Sequence, residues 1–191
     1  MDILGAIKGA PVVDLVLLVG LGVFFFLGVM QGAIRRLIGI LSILFAFLVA
    51  ANMRDTAGDF LADNWRQFNL DYNRLLAFVI IFFVVGVAAS IVTQGFYKRT
   101  DLSAEHPIID DVVGGLLGIF QGLMLLMFVV IILNSYHLPP AKSGDVTQLR
   151  DVQDMIVNKS HIAGAIKEFA VPLFVHVFAI LLPADLVSKF P

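Results

Sequence analysis

The sequence contains no cysteine and little of the charge that a soluble domain carries. The absence of cysteine excludes disulfides, thiolate metal sites and cysteine nucleophiles, although it leaves the redox compartment open. Charged residues make up 15% of the chain, its formal net charge is -2, and no basic tract exceeds two residues. Nucleic acid is therefore excluded as a partner, because it is bound through clustered lysine and arginine.

What the chain has in excess is apolar sequence. Hydrophobic residues make up 59% of it, against roughly 45 to 50% in soluble domains, and the mean hydropathy is +0.94. The first residues lack the short apolar core and cleavage pattern of a signal peptide, so we expect them to be retained. The composition predicts an all-α integral membrane protein that faces lipid over most of its surface.

Four uncharged blocks are long enough to span the hydrocarbon core, which takes about 17 to 25 helical residues. Charged residues bound them, except that the fourth ends at Pro139. They predict a transmembrane domain over residues 12–138, with spans at about 15–34, 37–53, 75–97 and 112–138. Between the second and third blocks, residues 54–74 alternate acids and arginines, which predicts an aqueous loop with at most a turn or two of helix.

The remaining residues, 139–191, predict an amphipathic C-terminal tail. Apolar side chains recur at helical spacing over 146–156, with charged residues between them. The last apolar stretch, 169–184, has only 16 residues and contains Pro172 and Pro183. Its length favours an interfacial or re-entrant helix, and a fifth span is the alternative.

The orientation depends on lysine and arginine near the ends of the spans. The two short connections carry Arg35 with Arg36 and Lys98 with Arg99, while the opposite side carries more basic residues among many acids. We give most weight to the connection at Arg35, because it contains few acids. The positive-inside rule then places both short connections in the cytoplasm. Both termini are then predicted to be extracytoplasmic.

A short glycine motif occurs twice, as GVMQG at residues 28–32 and as GIFQG at residues 118–122. Glycines four residues apart share one helix face and allow a second backbone to approach closely. No strand-loop-helix context suggests a phosphate-binding loop. The residues predicted to pack helices together are Gly28, Gln31, Gly32, Gly39, Gly114, Gly115, Gly118, Gln121 and Gly122.

The two glutamines of this motif need hydrogen-bond partners, because an unpaired amide in hydrocarbon is costly. The repeat suggests that Gln31 and Gln121 bond to each other, and the alternative is that Gln31 reaches the nearby membrane interface. Two acids, Asp14 and Asp111, each precede an apolar span, where a carboxylate can cap the free N–H groups and interact with the helix dipole. Proton transfer is the less favoured role, since neither acid lies at mid-span.

Catalytic motifs are missing from the sequence. Its four histidines, His106, His137, His161 and His176, are scattered, and no HExxH, GxSxG or SxxK arrangement occurs. We therefore expect no catalytic, cofactor or metal site. A metal ion bound to His161 and His176 would support the alternative hypothesis of an intramembrane enzyme. A further alternative hypothesis is a passive pore with a polar lining of Ser42, Ser90, Thr93 and Gln94.

Residues 12 to 136 resemble the colicin V production protein (CvpA) family. The resemblance is carried by Asp14, by the stretch GVMQGAIRRLIG at 28–39 and by DVVGGLLGIFQG at 111–122. Members of that family typically read GxxRG followed by RE at the first hairpin, and DxxxGxxxxxRG in the fourth helix. In this chain Gln31 and Gln121 stand where arginine is usual, and Arg36 stands where glutamate is usual.

The resemblance implies a protein of the bacterial inner membrane that is linked to colicin V production or export and to envelope homeostasis. It implies no enzyme activity. The function we expect is that of a non-enzymatic scaffold or accessory factor, whose partners are the lipid bilayer and either further copies of the chain or other envelope proteins. A small channel or transporter subunit that forms a pore on oligomerisation is the alternative.

Overall fold

The computed structural model describes residues 12–65, 70–96, 107–135 and 160–189, and nearly all of them are helical. No strand occurs in these ranges, so the predicted all-α class is confirmed. The helices are α1 Val12–Gln31, α2 Ala33–Asn64, α3 Leu70–Phe96, α4 Pro107–Ser135, α5 His161–Ala165, a π-helical segment Ile166–Ala170, α6 Val171–Phe178 and α7 Ala184–Lys189.

Five helical stretches in the described ranges are long and apolar enough to cross a membrane. Four of them, Val12–Gln31, Ala33–Asn64, Leu70–Thr93 and Ile108–Asn134, overlap the predicted spans. The first helix ends three residues before its predicted end at 34, because the chain turns at Gly32. The fifth, His161–Phe178, joins α5, the π-helical segment and α6, and is one stretch more than the four spans predicted. The amphipathic part of the tail before residue 160 and the boundary at 138 lie outside the described residues.

Helix α2 continues well beyond its predicted end and α3 begins at Leu70, so the prediction of a loop over 54–74 was wrong for residues 54–64 and 70–74. Asp55, Asp59 and Asp63 recur every four residues, and they therefore share one side of the extended helix. Helix α3 returns alongside this extension. Its Arg74 binds Asp59 at 3.0 Å and lies 3.5 Å from Asp55, so the charged residues stabilise a helical hairpin.

The turn between α1 and α2 consists of the single residue Gly32. Its φ angle is 75°, a left-handed conformation that glycine adopts without the steric cost of a Cβ. The amide of Gly32 still donates to the Gly28 carbonyl at 3.0 Å, and its own carbonyl accepts from the Arg36 amide at 3.3 Å. The chain therefore reverses direction without a loop, and α2 runs back antiparallel to α1.

The long helices form a row in the order α1, α4, α2, α3. Helix α4 packs antiparallel to α1 and parallel to α2, while α3 packs antiparallel to α2. In the most apolar 18-residue segment of each helix, 56% of the residues of α4 are buried, against 11% in α1 and 17% in α3. Helix α4 is therefore the central helix, and α1 and α3 lie at the edges. The core residues that are almost completely enclosed are Ala46, Phe47, Ala50, Ala51, Val130, Ile131, Ala163, Val171 and Leu186.

The C-terminal stretch packs against this row through α5, the π-helical segment and α6. Ser160 begins it as the N-cap, with its side chain accepting a hydrogen bond from the Ala163 amide at 3.0 Å. The widened turn immediately precedes Pro172, which lacks an N–H group and crowds the preceding turn. The Val171 amide accordingly bonds to the carbonyl of Ile166, five residues back.

Candidate functional site

Helices α1 and α4 cross with their backbones in direct contact. A Cβ added at Gly28 would overlap the carbonyl oxygen of Gly114 and lie 3.0 Å from the Gly115 Cα. A Cβ added at Gly118 would overlap the carbonyl oxygen of Phe24 and lie 3.3 Å from the Gly28 Cα. Only glycine fits at either position without a shift of backbone, as at small-residue crossings in other membrane proteins.

The two copies of the glycine motif occupy equivalent places in this crossing. Gly114 lies four residues before Gly118, and Phe24 lies four residues before Gly28. Each motif glycine therefore faces the carbonyl one helical turn before its counterpart on the other helix. Two antiparallel helices thus use the same packing surface, related by a local two-fold axis, and this explains the repeat.

The other glycines of the predicted set accommodate side chains or the turn. Cβ atoms at Gly115 and Gly122 would press on rings and branches of α1, at 2.6 Å from Phe25 and 2.9 Å from Leu21 respectively. Gly39 is looser, since its nearest neighbour is the Gln121 amide at 3.5 Å. Gly32 faces the carboxylate of Asp110. The predicted glycines thus lie either in the α1–α4 crossing or along the adjoining face of α2.

A buried arginine joins this crossing to α2. Arg36 is only 5% exposed, and its Nη1 donates to the Gln121 Oε1 at 2.5 Å while its Nη2 donates to the Phe24 carbonyl at 3.2 Å. Its guanidinium carbon also lies 5.7 Å from the centre of the Phe24 ring, within the range of a cation–π interaction. Arg36 therefore connects α1, α2 and α4.

This contact contradicts the suggested bond between the two glutamines. Gln121 is buried and accepts from Arg36, whereas Gln31 is exposed at the end of α1. The turn beside Gln31 faces Asp110, and Gln121 lies 11 residues further along α4, or about 16 Å away at the helical rise. Exposure at this end of the bundle agrees with the alternative, in which Gln31 reaches the interface.

The same contact brings together two departures from the family pattern. The resemblance places arginine at the position of Gln121 and glutamate at the position of Arg36. In this chain the basic group is on α2 and the neutral acceptor on α4.

Asp14 caps a helix other than its own. It is 5% exposed and lies in the first turn of α1, but it accepts hydrogen bonds from the Ser160 hydroxyl at 2.5 Å and from the amides of His161 at 3.0 Å and Ile162 at 3.4 Å. These are free amides at the start of α5. The expectation that Asp14 caps the span it precedes is corrected accordingly.

A second acid repeats this arrangement at the other end of the molecule. Asp110, in the first turn of α4, accepts from the Ala33 amide at 3.0 Å, and Ala33 is the first residue of α2. The predicted acid, Asp111, is exposed instead. Both antiparallel helices of the glycine crossing therefore carry a first-turn aspartate that caps a neighbouring helix and fixes its start.

The second half of α2 is attached to the C-terminal segment by further polar contacts at Arg54 and Asn52. Arg54 is 2% exposed and forms an ion pair with Asp185 on α7. Its Nε also lies 3.7 Å from Asp55, and the nearby Asn52 side chain donates to the Leu181 carbonyl at 2.9 Å. These contacts fix the segment that follows α6 against α2.

The paired basic residues used for topology separate in the structure. Arg35 is exposed beside the Gly32 turn, whereas its neighbour Arg36 is buried, so only one arginine of this pair lies on the surface. Lys98 and Arg99 lie outside the described residues, as do His106 and His137. The predicted orientation, in which the Gly32 turn faces the cytoplasm, therefore depends at this turn on one surface arginine and not on two.

The described ranges contain no group of three or more His, Asp or Glu side chains placed to hold a metal ion. His161 contributes its backbone amide to the Asp14 contact, and His176 is exposed on α6. Of the hydroxyls proposed to line a pore, Ser42 is buried and donates to its own helix at Ile38, and Thr93 does the same at Ala89. The side chain of Gln94 lies outside the described part.

Several residues of these contacts were absent from the predicted set, namely Asp110, Ser160, Arg54 and Asp185. Ser160 had a local signal, since serine is a preferred N-cap and here precedes a short apolar run. Asp110 and Asp111 are adjacent, so the sequence offered two acids for one cap. Arg54 and Asp185 are 131 residues apart, and no local pattern connects them.

Comparison with known proteins identifies the family of the chain. No curated protein and no solved structure matches it. A family model described as "Colicin V production protein" matches residues 13–181, which include α1 to α4, the glycine crossing and the C-terminal stretch up to Leu181. The chain belongs to the colicin V production protein family.

Proposed function

We propose that the protein acts in the bacterial inner membrane as a non-enzymatic scaffold or accessory factor for colicin V production or export and for envelope homeostasis. The observation that supports the proposal is that its buried polar side chains bond to other helices of the same chain. Asp14 caps α5, Arg36 connects three helices, and Arg54 attaches the C-terminal segment. These groups support internal structure, and the polar chemistry of the described core is directed toward holding helices in place.

The proposed partners are the lipid bilayer and either further copies of the chain or other envelope proteins. The outer faces of the two edge helices are apolar and exposed, and they are available to lipid or to another helix. Representative exposed side chains are Val16, Val19, Val23 and Phe26 on α1 and Phe83, Val84, Val87 and Ile91 on α3. Because the chain has no cysteine, single cysteines at Val19 and Val87 can be crosslinked without background.

The functional experiment is complementation. In a colicin V-producing bacterium that lacks the protein, expression of the wild-type chain should restore colicin V release, and Gly118→Ala should not, because it disturbs the helix crossing. Gly20→Ala is the matched control, since a Cβ at Gly20 meets no atom within 4 Å. Full release in the absence of the protein would refute the proposed role in production or export.

A channel or transporter subunit is the competing function. Purified protein in liposomes should show no ion or solute flux above empty vesicles if the scaffold proposal holds. The bonding of Ser42 and Thr93 to their own helix backbones supports this expectation, because it occupies the hydroxyl protons of a would-be pore lining. Protein-dependent flux would favour the channel instead.

For the orientation we propose that the Gly32 turn faces the cytoplasm and that both termini are extracytoplasmic. Arg35 and Thr56 are exposed near opposite ends of the bundle. In intact cells, a membrane-impermeant maleimide that crosses the outer membrane should label Thr56→Cys but not Arg35→Cys, with both labelled after lysis. The reverse pattern would invert the molecule.

A further inference from the structure

We propose that the stretch His161–Phe178 does not cross the membrane but lies across one end of the bundle, with its outer face against the acyl chains of a single leaflet. By length and apolar composition this stretch could be a fifth span. The positions of its two ends relative to the Gly32 turn decide between the two arrangements. This arrangement of the stretch does not depend on the proposed scaffold role.

The beginning of the stretch is fixed at the far end of α1 from the turn. Ser160 and the amide of His161 are bonded to Asp14, which lies 18 residues before Gly32. At the rise of an α-helix this places the contact about 27 Å from the turn. The stretch therefore starts at the end of the bundle where α1 starts.

The chain that follows the stretch is fixed at the same end. The Leu181 carbonyl accepts from Asn52 at 2.9 Å, and Asn52 lies 20 residues after Gly32 on α2, about 30 Å from the turn. Within the stretch, the Phe174 ring lies 5.8 Å from that of Phe47, which lies 15 residues after Gly32 and so about 22 Å from the turn. A spanning helix of 18 residues would be about 27 Å long and would bring its second end near the turn.

The two faces of the stretch have different surroundings. Val171, Phe174 and Val175 are buried against the bundle, whereas Phe169, Leu173 and Val177, four residues apart, are 73%, 66% and 61% exposed. At the same end of α1, Leu15 and Val16 are also exposed on a membrane-spanning helix. At this end of the bundle the outer face of the stretch therefore carries exposed apolar side chains of the same kind as those of α1.

Charged groups mark the depth of the stretch. Arg54 and Asp185 form an ion pair, and Arg54 lies seven residues beyond Phe47 on α2, or about 10 Å along the helix. Interfacial helices bury their apolar face to about 5–10 Å in the boundary between headgroups and acyl chains. The stretch accordingly widens the molecule in one leaflet only.

Spin-label depth measurements test this proposal directly. The cysteine-free chain allows single labels at Phe169→Cys, Leu173→Cys and Val177→Cys, in phosphatidylethanolamine–phosphatidylglycerol vesicles. Depth is read from the ratio of relaxation by oxygen and by a nickel chelate. The three labels should lie within about 5 Å of one another in depth, one helical pitch, and within the acyl region.

A matched series on α3 supplies the control. Phe83→Cys, Val87→Cys and Ile91→Cys have the same spacing and replace side chains that are 64%, 55% and 66% exposed. Because α3 crosses the membrane, their depths should differ progressively, by about 12 Å over eight residues. A similar progression in the 169–177 series would show a fifth span, and strong nickel relaxation at all three positions would place the face in water; either result overturns the proposal.

Discussion

Helix α4 has two contacts that differ in the size of the groups that meet. Toward α1 it presents Gly114 and Gly118, and backbone lies against backbone. Toward α2 and the C-terminal stretch it presents Phe128, whose ring stacks on Phe47 at 3.9 Å between centroids and meets Phe174 edge-on at 5.3 Å. At Gly114 and Gly118 the closest atoms of the first contact belong to the backbone, whereas the second contact is formed by aromatic side chains.

This difference determines how strongly each contact is disturbed when a substitution changes the size of a side chain. Between membrane helices there is no net hydrophobic gain from leaving lipid, so association depends on close packing and on hydrogen bonds. At the glycine crossing the closest atoms belong to the backbone, so an added methyl group can be accommodated only by moving a helix. At the aromatic contact the rings can rotate and neighbouring side chains can repack. The glycine crossing should therefore be rigid, and the aromatic contact adaptable.

The largest effect is expected from a single methyl group at the glycine crossing. Gly118→Ala places a Cβ on the Phe24 carbonyl, and we expect it to lower the free energy of unfolding by about 3 kcal/mol or more, because the backbone must shift. Gly28→Ala should act similarly. Unfolding in mixed micelles, followed by circular dichroism, measures both.

Gly20 and Gly22 on α1 provide the control for these variants. A Cβ at either meets no atom within 4 Å, so alanine should be neutral or should stabilise the helix by up to about 1 kcal/mol. If Gly118→Ala proved as mild as Gly20→Ala, the crossing would not be the rigid contact described here.

The second largest effect is expected where Arg36 connects the crossing to α2. Gln121→Leu removes the acceptor of a buried charged donor, and we expect a loss of about 2 kcal/mol in the free energy of unfolding. Gln121→Glu, which keeps an acceptor of the same length and adds a negative charge, should match or exceed the wild-type stability. The same unfolding measurement applies to both variants.

Gln31→Leu is the matched control, since Gln31 is the corresponding residue of the other motif and is exposed. It should change stability by less than about 0.5 kcal/mol. Equal effects of the two glutamine variants would count against the Arg36 contact and would restore the idea that the amides act as a pair.

Sequence reasoning identified the spans and the glycine faces because both are periodic local features. A block without charge must be long enough for the bilayer, and glycines four apart must share a helix face. The extension of α2 was missed although it had such a signal. Asp55, Asp59 and Asp63 share a helical spacing, but charge was interpreted as the sign of a loop.

The polar contacts could not be predicted, because their partners are distant in sequence. Asp14 and Ser160 are 146 residues apart, and Arg36 and Gln121 are 85 apart. The rule that charge marks the membrane surface also assigned Arg36 to a cytoplasmic turn. The Arg36 guanidinium can be buried because α1 supplies a carbonyl oxygen and α4 an amide oxygen as hydrogen-bond acceptors. No sequence pattern within α2 indicates these acceptors.

A smaller effect is expected at the aromatic contact. Phe47→Leu removes a ring that contacts Phe78, Phe128 and Phe174, yet the replacement remains apolar and the neighbours can partly fill the space. We expect a loss of about 1 to 2 kcal/mol in the free energy of unfolding. A loss larger than that of Gly118→Ala would reverse the comparison between the two contacts.

The smallest effect is expected at the end of the glycine crossing, where Asp110 caps α2. Asp110→Ala leaves the Ala33 amide without its acceptor and should cost about 1 kcal/mol, the usual magnitude for loss of a cap. Asp111→Ala removes the adjacent but exposed acid and should leave unfolding unchanged. Amide hydrogen exchange at Ala33 adds a local readout, because loss of the cap should speed exchange there without affecting the aromatic contact. If Asp111→Ala had the larger effect, the acid predicted from the sequence would be the cap after all.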